Sequence, residues 1–304
     1  AARPKASART STTRSRSSAM RAGWHPAHWL AATVVALLSA CQSPPIVPVG
    51  NLDSVLASES MTPDTAALVV YRLEDSRTWT TSGERPSERF VAASTSKIPH
   101  TLIALETGAV SGPDDWFEWD GETRFLPGWN ESQDFASAFQ RSTVWIYQTV
   151  TPRIGNVALS TWLARFGYGN ADTGTEDDIQ TYWLKGPLKT SAREQAVFLA
   201  KLSARTLPLS AQTYEQAIPM MLAEEGDGWS IHAKTGWKSV PGETDIGWYV
   251  GWLEQTEGGA PGTYTFAFNL DMNAENPALK TRREAVRKAL ETIGALSPAS
   301  ETPF

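Results

Sequence analysis

The chain's 304 residues suffice for one large domain or two small ones with an ample core. Residues 1–40 hold Arg3, Lys5, Arg9, Arg14, Arg16 and Arg21 and no acidic residue, so the net charge of −6 becomes −12 for residues 41–304 once those six are set aside. So acidic a body is repelled by phosphate backbones, which argues against nucleic acid as a partner, and a single cysteine excludes an internal disulfide.

The first 40 residues read as a targeting segment. Met20-Arg21, a candidate translation start, opens a short basic stretch, and 29–40 is an apolar run too short to span a bilayer comfortably. That run ends Leu37-Leu38-Ser39-Ala40-Cys41, which resembles the lipobox of bacterial lipoprotein signal peptides. A lipid on Cys41 would tether the protein in the periplasm. Gln42 is not the aspartate associated with inner-membrane retention, so the outer membrane is favoured. An ordinary cleaved signal peptide is the alternative.

Residues 41–64 are Pro- and Ser-rich and read as a tether. Two strands, 67–73 and 77–81, flank a polar turn. Ile98, Leu102, Leu105 and Ala109 recur at helical spacing, placing Ser94 at a helix start. An aromatic loop covers 114–134. Helical periodicity follows over 135–147 and 157–166, stopped by Gly167–Asn170, and returns over 191–204. Three β-branched and aromatic runs, 229–233, 246–253 and 263–270, precede an amphipathic helix over 281–293. Strands at both ends with helices between them predict an α+β fold. It has an antiparallel sheet flanked by N- and C-terminal helices and an inserted all-helical lobe, with a domain over 65–295 and a tail over 296–304.

Ser94-Thr95-Ser96-Lys97 and, 140 residues on, Lys234-Thr235-Gly236 carry the chemistry. Three residues place Lys97 one helical turn from Ser94, within reach of its hydroxyl proton. Read alone, the first motif is equally a capping serine followed by a solvated lysine. Outside the leader only His100 and His232 remain, with no Gly-x-Ser-x-Gly elbow, P-loop or usual zinc-ligand set. The base is therefore something other than histidine, and the two histidines read as packing or surface residues.

Between the two motifs lie Ser142-Thr143-Val144, read on the helix from Phe135, and Tyr168-Gly169-Asn170 on a helix-ending turn. This order resembles the class D, or oxacillinase-type, serine β-lactamases of the penicillin-binding-protein/transpeptidase-like superfamily. The likeness runs from about Tyr71 to Leu290 and includes Trp119-Asp120-Gly121, Trp129-Asn130, Tyr182-Trp183-Leu184 and the run from Gly247 to Trp252. It implies hydrolysis of β-lactam antibiotics through a Ser94 acyl-enzyme, with an oxyanion hole of the Ser94 and Trp237 backbone N–H groups. Gly236 lets substrate approach the strand closely.

The resemblance also implies that Lys97 carries carbon dioxide as a carbamate, in a pocket of Val144 and Trp183, with no other cofactor and no metal. Ser142 would pass a proton to the lactam nitrogen, Lys234 would support it and, with Thr235, bind the substrate carboxylate. Arg283 matches the carboxylate-binding arginine because Glu-Ala-Val follows it, although Arg282 is adjacent. Tyr168, Gly169 and Asn170 are expected to shape the pocket rim. Ser96 departs from the family's usual aromatic residue, which bears on packing behind the helix. A β-lactam sensor domain and a penicillin-binding transpeptidase or carboxypeptidase are the alternatives; both stay acylated where a lactamase turns over.

Overall fold

The chain's richest β-branched and aromatic runs lie in its C-terminal third, and they pair into the middle of one sheet. The computed structural model describes residues 48–272 and 280–298. The leader, the lipobox and Cys41 lie outside the described residues.

In chain order come β1 (Pro48–Asn51), α1 (Asp53–Ser58), β2 (Ala66–Arg72), β3 (Thr78–Thr80), β4 (Phe90–Val91) and α2 (Lys97–Glu106). The lobe follows: β5 (Trp116–Phe117), β6 (Gln133–Asp134), α3 (Phe135–Gln140), α4 (Val144–Ile154), α5 (Asn156–Phe166), β7 (Lys189–Thr190), α6 (Ala192–Ser203) and α7 (Ala211–Met220). The chain then returns through β8 (Leu222–Gly226), β9 (Trp229–Lys238), β10 (Asp245–Gln255) and β11 (Gly262–Met272), and α8 (Thr281–Thr292) closes it.

The main sheet runs β1-β3-β2-β11-β10-β9-β8. All its pairs are antiparallel except β1 with β3. Alternation sorts β10 by face: Trp248, Val250 and Trp252 join the lobe's core, while Tyr249 and Leu253 join a second core with α1 and α8. Helices thus cover both faces, as the α+β reading expects. Strands from near the two ends of the described chain lie side by side because β2 pairs with β11.

Several boundaries differ from the sequence reading. The expected tether ends before residue 48: β1 pairs with β3, and α1 buries Val55 and Leu56, so 48–58 belongs to the body. The expected tail begins too early, since Leu296 is buried and its N–H donates to Leu290 O. The helix expected over 135–147 is two helices, α3 and α4. Neither α7 nor β8 was expected: α7 contains Pro219, and β8 is the acidic edge sequence Leu-Ala-Glu-Glu-Gly. Strand β9 runs on to Lys238, past the expected end at residue 233, through a half that carries the Lys-Thr-Gly motif and lacks an apolar signature.

Candidate active site

Ser94 sits in a 3-10 turn, Ala93–Ser96, that feeds directly into α2. Ala93 has φ +49°, a left-handed conformation unusual for a residue with a Cβ, and it turns the chain sharply before the serine. The turn is pinned from beneath. Thr95 Oγ1 donates to Ala92 O at 2.6 Å and accepts from Gln195 Nε2 at 2.8 Å, and Ser96 Oγ donates to Ala93 O at 2.7 Å. Ser96 is thus buried and bonded, so a small hydroxyl fills the place of the family's usual aromatic.

Lys97 Nζ donates to Ser94 Oγ at 3.0 Å. The lysine is wholly buried, with its ammonium position 5.1 Å from the centre of the Tyr147 ring. Burial first, and the charge of Lys234 second, hold its pKa well below the usual lysine range. This geometry excludes a solvated lysine. Lys234 is also buried, and its Nζ donates to Thr235 O at 3.2 Å. Burial, then repulsion from Arg282 and Arg283, brings its pKa down to about 7.

A cavity of about 690 Å³ opens over Ser94. Ser142, Val144, Thr235, Gly236, Trp237 and Arg282 line it, with Phe125, Leu126, Trp129 and Leu184 forming apolar walls. Strand β9 runs hard against the nucleophile's turn: a Cβ on Gly236 would lie 3.0 Å from Thr95 Cγ2 and 3.3 Å from Thr95 N. Trp237 is fixed by its Nε1–H, which donates to Asp245 at 2.8 Å. Phe125 meets the Trp237 ring edge-on, centroids 6.4 Å apart.

Ser142 lies between α3 and α4 rather than on a helix, with φ +60°. The break is stabilised locally. Thr143 N donates to Ala138 O at 2.9 Å, and Thr143 Oγ1 donates to Gln133 Oε1 at 2.8 Å. Val144 then begins α4 facing the cavity. A continuous helix would rotate Ser142 with the helical repeat; the left-handed residue frees it from that phase.

Arg283 was expected as the carboxylate-binding arginine; Arg282 lines the cavity over Ser94, while Arg283 lies beside Lys234 and Thr235. Adjacent residues on α8 differ by about 100° around the helix axis. Arg282 is buried, and its guanidinium donates to Gly236 O at 2.6 Å and Trp248 O at 3.2 Å, tying β9 to β10. Burial, then Arg283, lowers its pKa to about 10. Arg283 is exposed, packs over the Tyr249 ring and lines a smaller cavity of about 70 Å³ with Lys234 and Thr235.

The expected rim position of Tyr168, Gly169 and Asn170 is also corrected. Tyr168 is fully buried behind the nucleophile, its hydroxyl 3.4 Å from Thr95 Oγ1. Gly169 has φ +53° and packs against Lys189 O, where a Cβ would overlap. Asn170 bonds Pro187 O and Lys189 N. These three shape the support of the site and do not line the cavity. Sequence reasoning missed Gln195, which reaches Thr95 from 100 residues away with no local signal. It also missed the contact of Tyr182 with His100. Trp183 is fully buried, and its indole N–H has no hydrogen-bond partner among the described residues. Also among the described residues, no group of His, Cys, Asp and Glu could hold a metal ion.

Comparison with known proteins agrees with this geometry. Residues 66–291 match the penicillin binding protein transpeptidase domain. The chain is 40% identical over 214 residues to β-lactamase OXA-2 of Salmonella typhimurium, covering 70% of this chain and 74% of that one. It is 36% identical over 205 residues to β-lactamase OXA-48 of Klebsiella pneumoniae, covering 67% and 75%. Among solved structures, it is similar to the class D β-lactamase YbXI from Nostoc, with a TM-score of 0.74 at 33% identity, covering 80% of this chain and 98% of that one.

The two arginines separate cleanly by experiment. Arg282→Ala removes a charge from the cavity and the tie between β9 and β10, and should lower kcat/KM for a chromogenic cephalosporin about tenfold or more. Arg283→Ala should stay within about threefold, as a surface change does. Steady-state kinetics of both variants check the assignment, and the reverse ranking would restore Arg283.

Proposed function

We propose residue roles for a chain that belongs to the class D β-lactamases, within the penicillin-binding-protein transpeptidase family. It is a serine β-lactamase that hydrolyses the β-lactam amide bond and so confers antibiotic resistance. The observation that carries the assignment of roles is the 3.0 Å contact between Ser94 Oγ and the buried Lys97 Nζ.

Ser94 attacks the lactam carbonyl carbon, and its hydroxyl proton passes to the base at Lys97 as the new C–O bond forms. The carbonyl oxygen, now negative, is received by the backbone N–H groups of Ser94 and Trp237, a placement supported by the tight approach of β9 to the nucleophile's turn. As the C–N bond breaks, Ser142 relays a proton to the leaving nitrogen and is itself reprotonated by the one taken from Ser94, with Lys234 supporting the exchange electrostatically. Thr235 and Arg282 hold the substrate carboxylate, and Gly236 leaves room beside the strand. Water, losing a proton to the base at Lys97, then attacks the acyl carbonyl; the bond to Ser94 Oγ breaks and the base returns the proton to that oxygen.

Lys97 fits carbamylation. Only a neutral amine adds carbon dioxide, and burial depresses the lysine's pKa. The carboxylated lysine, when formed, supplies a negatively charged general base. Val144 would wall it from solvent, and the unpartnered Trp183 indole N–H would donate to it. This orphaned donor in a fully buried tryptophan is the structural feature that favours the modification, because a buried N–H without an acceptor is costly.

For the N-terminal segment, the lipobox-like Leu38-Ser39-Ala40-Cys41 supports a lipid-modified Cys41 and tethering to the outer membrane from the periplasm. Cys41→Ser should block lipidation and move the protein from the membrane to the soluble fraction. Unchanged processing and fractionation would refute the anchor.

Ser94→Ala should abolish turnover, and intact-mass spectra with a penicillin should show an adduct on the native chain and none on the variant. An undiminished rate would sink the serine mechanism. For Lys97 the sign follows from its lowered pKa. The amine is neutral above that lowered pKa and gains a proton as the pH falls through it, which reverses carbamylation. Activity in degassed buffer should therefore fall on the acid side and recover with bicarbonate. Equal rates with and without bicarbonate, and no carbamate signal from labelled bicarbonate by NMR, would make a bare lysine the base.

A further inference from the structure

His100 follows Lys97 by one turn of α2, fully buried and unused by the chemistry above. Its Nε2 lies 2.6 Å from the Tyr182 hydroxyl, a short hydrogen bond between groups 82 residues apart. Three rings close on one another here. Trp183 stands edge-on to His100 with centroids 5.0 Å apart, Tyr182 stands edge-on to Trp183 at 5.0 Å, and His100 meets Tyr182 at 5.5 Å. Tyr147 joins this cluster to the base: its ring is 6.4 Å from His100 and 5.1 Å from Lys97 Nζ.

We propose that the His100–Tyr182 hydrogen bond is a strut that fixes the orientation of the Trp183 indole, and so sets how firmly Lys97 keeps its carboxylate. The inference rests on the carbamylation reading above. A tryptophan ring in a packed core is held in azimuth by its neighbours, and here two of them are locked by their own bond. Burial pushes the His100 pKa down, so the imidazole stays neutral. Tyr182 likewise keeps its proton, since burial raises its pKa well above the usual phenol range. His100 and Tyr182 are positioning residues: they act through Trp183 and touch no reacting atom.

The test uses the purified chain in degassed buffer at mildly acidic pH, with the initial rate of cephalosporin hydrolysis titrated against bicarbonate. Tyr182→Phe keeps the ring and removes the bond. It should raise the bicarbonate concentration for half-maximal activity about tenfold, while saturating bicarbonate restores the rate to within about twofold of the native chain. His100→Gln, whose amide nitrogen falls near the position of Nε2, keeps a bonding group and should shift the midpoint less than about threefold. A purely structural role would lower thermal stability without moving the bicarbonate midpoint. A native chain that responds to bicarbonate beside a Tyr182→Phe variant with the same midpoint overturns the strut alone. A shift in His100→Gln as large as that in Tyr182→Phe also overturns it. A native chain indifferent to bicarbonate overturns the carbamylation reading and the strut with it.

Discussion

Keeping a lysine amine dry beside a serine hydroxyl is the constraint on which the rest of this structure depends. None of the ion pairs among the described residues involves Lys97, Lys234, Arg282 or Arg283. An Asp or Glu side chain paired with Lys97 would hold it as an ammonium, which can neither accept a proton nor add carbon dioxide. The fold instead surrounds the amine with helix α2, the Tyr147 ring and the lobe's core, and lets neighbouring cations raise the cost of protonation. Arg282 lines the larger cavity, while Lys234 and Arg283 line the smaller one beside it, and none of them has an acidic side-chain partner among the described residues, so an anionic substrate supplies the missing charge.

The sheet and the lobe solve different parts of that problem. Strand β9 brings Thr235, Gly236 and Trp237 past the nucleophile's turn in one straight run, and pairing with β10 holds it over ten residues. The lobe supplies Ser142 and Val144 from a break between two helices. Arg282 joins the two neighbouring strands through their carbonyls, so the end of α8 stiffens the wall that faces the substrate.

Much of this was legible in sequence because the signals were local. Ser94 and Lys97 share a helix start, and a three-residue spacing already fixes their contact. The strands of the C-terminal third announced themselves by β-branched and aromatic runs. What escaped reading depended on torsion or on distance along the chain. Ser142 left its helix through one left-handed residue, which periodicity does not reveal. Arg282 and Arg283 are equivalent in composition and differ only by a rotation about α8. Residues 48–58 looked like a polar tether because only Leu52, Val55 and Leu56 carry their burial. Gln195, which braces Thr95, has no neighbour in sequence that marks it.

The main sheet is open, so it has two rims, and both are unsuited to accepting a further strand. At one, β1 has only four residues, begins with a proline that has no N–H to offer, and slips register between Pro48 and Gly50. At the other, β8 slips between Leu222 and Glu224 and sets Glu224 and Glu225 in succession. Glu224 is held by Arg287 from α8 at 2.7 Å, which keeps a charged pair on that border. Short length, broken register and acidic side chains are the means by which sheets resist edge-to-edge aggregation. The strands that carry the Lys-Thr-Gly motif are thereby shielded from templating fibrils, although their aromatic and β-branched composition would otherwise invite it.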